Sequence, residues 1–201
     1  MLYVITGPSG CGKSTLVKSI LGEVENVEFS ISYTTRKKRD SEQEGKDYFF
    51  VSKAEFGQMI EMDKLAEWAV VHGHYYGTSK REIEKKGSER DLLLDIDIQG
   101  AQQIKTKFKK AVFIFIIPPL FQELKTRLKN RGEEAADVIG RRLEIAKKEI
   151  RCYPEFDYII INDKLDKARK ELASIILATR CRLDSRKKEI VPILRSFFEN
   201  E

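Results

Sequence analysis

Long apolar runs alternate along this chain with segments of helical periodicity. The runs lie at residues 1–6, 91–97, 111–117 and 158–161. Since a run without polar alternation is typical of a strand covered on both faces, these segments indicate a parallel sheet. Helical character marks residues 14–21, 100–108, 121–131, 136–151 and 164–182. The pattern therefore predicts an α/β fold in which helices flank a parallel central sheet.

A β-rich stretch at residues 32–90 interrupts this alternation. Segments with the alternation or aromatic content of strands lie at residues 28–33, 46–51 and 65–71. Ser52–Glu55 and Ser79–Glu82 have the Ser-x-x-Glu form of capping boxes, which open helices. We therefore expect a core formed by residues 1–31 and 91–201, with residues 32–90 inserted as a lobe.

Two segments of the C-terminal half have features of their own. Residues 129–141 are polar and contain Gly132 and Gly140, as is typical of a mobile flap. Residues 185–198 have helical character, and Pro192 is expected to disturb that helix because proline lacks a backbone N–H. The sequence thus predicts a short lid and a terminal packing helix.

Composition and charge exclude several classes of protein. Hydrophobic residues make up 41% of the 201 residues, yet no apolar run approaches the roughly 20 residues of a membrane-spanning helix. The net charge of +5 fits an acidic small ligand and does not by itself indicate nucleic acid. Cys11, Cys152 and Cys181 are too far apart for a zinc site or a disulfide framework. Because the N-terminus also lacks a secretory signal, we expect a cytoplasmic protein with neither a nucleic-acid nor a membrane partner.

The turn after the first apolar run matches the phosphate-binding sequence G-x-x-x-x-G-K-[ST]. It consists of Gly7, Pro8, Ser9, Gly10, Cys11, Gly12, Lys13, Ser14 and Thr15. Glycines permit a tight loop whose backbone N–H groups converge on phosphate oxygens at the positive end of the next helix. The strand before it and the helix after it distinguish this loop from an ordinary glycine-rich turn. The sequence therefore predicts a site for a nucleoside triphosphate.

The same loop and the second apolar run predict a Mg²⁺ cofactor. Lys13 is expected to reach the terminal phosphates, and the Ser14 hydroxyl is expected to bind Mg²⁺. Asp95 ends an apolar strand, which is the position of the metal-side carboxylate in phosphate-loop proteins. An aspartate that only caps the next helix is the alternative.

Five further short sequences follow the loop in a fixed order. They are S-Y-T-T-R-K-K-R at 32–39, G-K-D-Y at 45–48, Glu67, G-H-Y-Y-G-T at 73–78, and D-I-D-I-Q-G at 95–100. In this combination the chain closely resembles the guanylate kinase family, from about Leu2 to Leu172. The resemblance implies a P-loop kinase fold with an inserted NMP-binding lobe at residues 32–90 and a lid at about 129–141. It also implies transfer of a phosphoryl group from ATP to GMP.

The resemblance assigns residues of this sequence to three sites. It implies that the GMP phosphate is held by Arg36, Arg39, Tyr48 and Tyr76. It implies that the guanine is contacted by Ser32, Glu67, Thr78 and Asp97. For ATP it implies closure of the lid arginines Arg131 and Arg142 on the phosphates, with Asn162 near the base. The charge-stabilising residues of the reaction are then Lys13, Arg36, Arg39, Arg131 and Arg142.

The chemistry of these residue types independently favours guanine. A carboxylate such as Glu67 can accept from the donors at N1 and the 2-amino group, and a hydroxyl such as Ser32 or Thr78 can donate to O6. Adenine presents an acceptor at N1, and an unpaired buried polar group costs about 1–3 kcal/mol. The acceptor phosphate is largely ionised at neutral pH, so the reaction requires no general base. Lys13, Mg²⁺ and the arginines are left to neutralise the repulsion between the two nucleotides.

Other interpretations remain open from the residues alone. Arg36 and Arg39 could form a solvated basic turn, and Arg131 and Arg142 could form surface ion pairs. Lys38 stands where the family commonly has proline, and His74 stands where it commonly has asparagine.

Two alternative functions also remain. One is a non-catalytic binding module of guanylate-kinase-like fold, although such modules typically have a degraded phosphate loop. The other is a related kinase that acts on a phosphorylated pentose. The sequence does not decide between a monomer and a homo-oligomer.

Overall fold

A parallel sheet of five strands forms the centre of the described part of the protein. The structure is a computed structural model that describes residues 1–84, 90–129 and 136–198. In spatial order the strands are β2 (Val27–Phe29), β7 (Asp91–Asp95), β1 (Leu2–Thr6), β8 (Val112–Ile117) and β9 (Tyr158–Ile161). Neighbouring strands are parallel throughout. The apolar runs therefore form the predicted sheet.

The α-helices outside the β-rich stretch include those that cover both faces of this sheet. They are α1 (Lys13–Ile20), α4 (Ile98–Lys107), α5 (Phe121–Lys129), α6 (Ala136–Glu149), α7 (Leu165–Arg180) and α8 (Leu183–Phe198), with a 3₁₀ helix at Ile150–Glu155 after α6. Tyr3 and Ile5 pack with α1 and α7 on one face. Leu2 and Val4 pack with α4 on the other. Because successive strand residues point to opposite faces, an uninterrupted apolar strand fills both cores, and the predicted α/β class is confirmed.

A second sheet is built entirely from strands between residues 33 and 79. In spatial order these are β4 (Phe49–Phe50), β3 (Tyr33–Thr34), β6 (His74–Ser79) and β5 (Leu65–Val71). Helices α2 (Lys53–Glu61) and α3 (Lys80–Glu84) accompany them. The first predicted capping box is confirmed, since Ser52 Oγ accepts from the Glu55 N–H and Glu55 accepts from the Ser52 N–H. At the second, Ser79 Oγ accepts from the Glu82 N–H at 3.2 Å.

Two strand predictions were wrong in extent. Residues 28–33 do not form one strand, because β2 ends in the central sheet and β3 begins in the second sheet. Of residues 46–51, only Phe49–Phe50 are in a strand. The N–H groups of Lys46 and Asp47 instead close a turn onto the Gln43 carbonyl. Local alternation does not distinguish such a turn from the strand beside it.

Several predicted boundaries also need correction or fall outside the described residues. Helix α4 begins at Ile98, before the predicted Gly100, because the Asp97 side chain caps it. Helix α8 continues through Pro192. The central part of the predicted lid lies outside the described residues, as does Arg131. Within the described ranges, no helix is both long enough and apolar enough to cross a membrane.

Candidate active site

The phosphate-binding loop joins the end of β1 to the start of α1, at the carboxyl edge of the central sheet. Gly12 is the N-cap of α1 and has a left-handed backbone with φ of 94°. A β-carbon at Gly12 would also lie within 3.0 Å of Asn162 Nδ2. Glycine is therefore required here both by the backbone conformation and by the close approach of a neighbour.

Two side chains from outside the loop hold its backbone. Asn162 Nδ2 donates to the Cys11 carbonyl at 2.8 Å, and Asn162 is buried. Arg127 donates to the Cys11 carbonyl at 3.4 Å and to the Asn162 carbonyl at 3.0 Å. Burial raises the pKa of the Cys11 thiol, which keeps this loop cysteine protonated. The structure therefore places Asn162 against the loop.

Lys13, Ser14 and Asp95 lie together at the start of α1. Lys13 Nζ donates to the Gly7 carbonyl at 2.6 Å. Ser14 Oγ donates to Asp95 Oδ2 at 2.9 Å. Burial raises the pKa of Asp95, while Lys13 and Ser14 act in the opposite direction. A hydroxyl and a carboxylate at this distance are hard oxygen donors that fit Mg²⁺.

Helix α6 reaches the outer side of the loop. Arg142 donates to Ser9 Oγ at 2.6 Å and is only 8% exposed. Glu149, at the end of the same helix, lies close enough to Lys13 for their charges to interact. Burial raises the pKa of Glu149, and Lys13 and the Ser9 N–H oppose this shift. The loop is thus contacted by a cation and a carboxyl group from α6.

A second set of polar side chains lies on β5, on β6 and directly before β3. Glu67 on β5 pairs with Thr78 on β6, and Ser32 Oγ lies 3.5 Å from Thr78 Oγ1. All three residues are buried. Glu67 Oε1 is buried and has no hydrogen-bond partner among the described residues. A buried carboxylate oxygen without a donor is costly, so this atom is suited to receive a donor from a ligand.

The charge of Glu67 is strongly affected by its surroundings. Burial raises the pKa of this carboxyl from 4.5 to about 7, and the nearby charge of Asp97 adds to the effect. Thr78 and Lys107 lower the pKa and oppose the shift. Asp97 itself caps α4, accepting the Gly100 N–H at 2.9 Å. The pocket therefore holds two carboxyl groups, of which Glu67 is the more buried.

The predicted phosphate-binding side chains are organised around Arg36. Its Nε donates to the Tyr76 hydroxyl at 3.1 Å, and its guanidinium lies 5.5 Å from the centre of the Tyr48 ring. It also forms a two-point ion pair with Glu42, at 2.7 and 3.0 Å. Glu42 accepts the Arg39 N–H at 2.9 Å as well. Several contacts thus hold the Arg36 side chain in place. The interpretation of a solvated basic turn is wrong for this residue.

The comparison with known proteins identifies the family of this chain. The family model for guanylate kinase matches residues 1–179. This chain belongs to the guanylate kinase family. The guanylate kinase of Geobacter sulfurreducens is 49% identical over 183 residues, covering 90% of each chain. That of Thermotoga maritima is 44% identical over 191 residues, covering 94% of this chain and 92% of the relative.

A solved structure agrees with the fold of this guanylate kinase family member. The crystal structure of guanylate kinase from Anaplasma phagocytophilum has a TM-score of 0.75 and 30% sequence identity. It covers 90% of this chain, and this chain covers 86% of it. The predicted P-loop kinase fold is therefore confirmed.

Three residues of this guanylate kinase family member were missed by sequence reasoning. Arg127 supports the loop, Glu42 pairs with Arg36, and Glu149 lies beside Lys13. Each lies in a charge-rich segment, in which the sequence does not distinguish one carboxylate or guanidinium from the next. Only their contacts in the folded chain distinguish them from surface charges.

Proposed function

We propose that the phosphate-binding loop and the pocket around Glu67 hold the two substrates of one phosphoryl transfer. This member of the guanylate kinase family catalyses ATP + GMP = ADP + GDP. The observation that carries our assignment of the GMP site is the buried Glu67 Oε1, which has no donor among the described residues and belongs to a residue paired with Thr78 across the sheet. Guanine supplies the donors that a carboxylate needs, at N1 and at the 2-amino group.

On the donor side, the loop binds the ATP phosphates. Backbone N–H groups at the start of α1 and the Lys13 ammonium face the negative charge of the triphosphate. Ser14 and Asp95 would hold Mg²⁺, whose charge neutralises phosphate oxygens when it is bound. We assign Asn162 to the neighbourhood of the adenine, where its side chain also stabilises the loop. Arg142 donates a hydrogen bond to Ser9. Of the two arginines predicted to close on the phosphates, it is the one within the described residues, and its side chain can turn to the phosphates.

On the acceptor side, Arg36 orients the GMP phosphate. Its contacts with Tyr48, Tyr76 and Glu42 restrict the guanidinium to one direction. Arg39 and the two tyrosine hydroxyls complete the phosphate subsite. Because the acceptor oxygen is already ionised, the residues need only align it with ATP and balance the charge of the transferred group. Asp97 and Ser32 complete the guanine subsite.

We place this enzyme in the cytoplasm, with ATP and GMP as its partners. Its three cysteines are unpaired, which agrees with a reducing compartment.

A substrate panel tests the assignment of the acceptor. With ATP and Mg²⁺ present, GMP is expected to be preferred over AMP in kcat/KM by roughly 10⁴-fold, because adenine leaves Glu67 Oε1 without a donor. UMP and pentose phosphates are expected to react still more weakly. Comparable turnover of AMP would contradict the role of Glu67. Preference for a pentose phosphate would favour the alternative kinase, and the absence of ATP consumption with GMP would favour a binding module.

The pH dependence of GMP use reports on Glu67. Its pKa is raised to about 7, so kcat/KM for GMP is expected to fall as the pH is lowered through that value. The protonated carboxyl would point an O–H at the guanine donors in place of a lone pair. The facing groups are Thr78 on β6, Asp97 before α4 and Lys107 on α4.

A glutamine variant separates this transition from the titration of GMP itself. The GMP phosphate takes up a proton near pH ~6. In Glu67→Gln only that lower transition is expected to remain. If the wild-type profile is flat around pH 7, or if the variant keeps the upper transition, Glu67 does not control GMP binding.

A further inference from the structure

Gly100 lies in the first turn of α4, directly against the Glu67 carboxyl group. A β-carbon at Gly100 would come within 3.0 Å of Glu67 Oε2, a separation that real β-carbons essentially never show. It would also lie 3.1 Å from the Glu67 carboxyl carbon and 3.3 Å from Asp97 Oδ1. A side chain at this position would therefore have to displace the carboxylate.

The backbone does not require glycine at this position. Gly100 is helical and is absent from the glycines with positive φ. Glycine is among the least favourable residues in a helix interior, where alanine is the most favourable. Glycine at this position thus lowers the stability of α4. The missing β-carbon is what permits the close approach of the Glu67 carboxyl group.

Helix α4 and strand β5 cannot move apart to relieve a clash at this point. The Gln103 side chain donates to the Trp68 carbonyl at 2.6 Å and accepts from the Trp68 N–H at 3.2 Å. Lys107 Nζ donates to the Ala66 carbonyl at 2.6 Å. Since Ala66 and Trp68 are the chain neighbours of Glu67, these bonds fix β5 to α4 on both sides of it. The side chains of Glu67 and Asp97 are left to yield, and Glu67 is the closer of the two.

The approach also brings the carboxylate to the positive end of α4. The first turn of a helix carries unpaired N–H groups and a partial positive charge. Both favour a carboxylate in its ionised form, which is the form that accepts two donors. Oε2 is the oxygen that lies against Gly100, and Oε1 is the buried oxygen without a hydrogen-bond partner among the described residues.

We propose that Gly100 is a specificity-determining position, at which the missing side chain sets the direction and reach of the Glu67 carboxylate toward a purine. This inference rests on the proposed function, because it assumes that Glu67 recognises the base of the acceptor nucleotide. Gly100 is a positioning residue, since it acts through Glu67.

Gly100→Ala tests the proposal, with Gly57→Ala as its matched control. Gly57 lies in α2, and a β-carbon there would meet no atom within 4 Å. We expect Gly100→Ala to raise KM for GMP by about tenfold or more and to leave KM for ATP unchanged. It should also reduce the preference for GMP over IMP, which lacks the 2-amino group. Gly57→Ala should match the wild type in all three quantities. Unchanged GMP kinetics and an unchanged GMP-to-IMP ratio in Gly100→Ala would overturn the proposal.

A second pair of variants keeps the test decisive if Gly100→Ala is unstable. In the Glu67→Ala background the severe clash is removed and only the 3.3 Å contact with Asp97 Oδ1 remains. Adding Gly100→Ala there should raise the melting temperature by about 2 °C, as expected for alanine in a helix. In the wild-type background the same change should give no such gain. Equal effects in the two backgrounds would overturn the proposal. If the proposed function itself is wrong, the wild type will show no turnover of GMP. That result is distinguishable from failure of the Gly100 proposal.

Discussion

Replacing Lys13 with methionine is expected to lower kcat with ATP and GMP by about 10²–10³-fold or more. Methionine has a similar length but no charge, so it cannot balance the charge that develops on the transferring phosphoryl group. The substitution also removes the hydrogen bond from Lys13 Nζ to the carbonyl of Gly7, within the loop. Steady-state kinetics with varied ATP and GMP measure the effect.

The control for this variant is Lys53→Met, on the exposed start of α2. It removes the same charge from the surface and is expected to leave kcat unchanged. Circular dichroism and the melting temperature establish that Lys13→Met keeps its fold. A folded Lys13→Met protein with wild-type turnover would contradict the assignment of the loop as the ATP phosphate site.

Glu67→Gln is expected to raise KM for GMP by roughly 10²-fold or more, with KM for ATP nearly unchanged. The amide oxygen can accept one guanine donor, but the amide N–H₂ then meets the second donor. A hydrogen bond to a charged group is worth about 1.5–3 kcal/mol, and two such bonds are affected. Glu61→Gln, at the exposed end of α2, is the control and should behave like the wild type. Equal losses for ATP and GMP would point to general disruption of the site and not to base recognition.

The same substitution is expected to stabilise the fold. The pKa of Glu67 is about 7 in the folded chain against an ordinary value of 4.5, so the folded state binds the proton more tightly than the unfolded state does. Stability is therefore lost as the pH rises from 4.5 to about 7, and it stays lower above that range. At pH above 7, neutral glutamine removes this cost. The melting temperature of Glu67→Gln should exceed that of the wild type there, and a lower value would contradict the burial of an ionised Glu67.

The two halves of the site differ in how far local sequence could reveal them. The phosphate-binding loop is contiguous, from Gly7 to Thr15, and its function follows from backbone geometry that a short string of glycines encodes. The guanine pocket is assembled from β5, β6, the residues before β3 and the start of α4. Its members could be named only through the ordered motifs of the family. Their burial and their mutual distances depend on how the two sheets pack.

The missed residues show the same limit at the level of single side chains. Glu42 lies six residues from Arg36 in a polar turn, and nothing in the turn indicates a two-point ion pair. Gly100 was part of a motif, but its contact with Glu67 joins positions that are remote along the chain. The predicted strand at residues 28–33 failed for a related reason, since it crosses from one sheet to the other.

The sequence by itself determined the α/β class, the triphosphate-binding loop and the identity of the charged and hydroxyl residues that are available to bind two nucleotides. These properties depend on periodicity, glycine positions and side-chain chemistry, all of which are local. The tertiary structure alone decided that Glu67 is buried against the N-terminus of α4 with one oxygen left for a donor. The desolvation of a carboxylate and its distance from a helix arise only when remote segments pack together, so no local pattern could specify them.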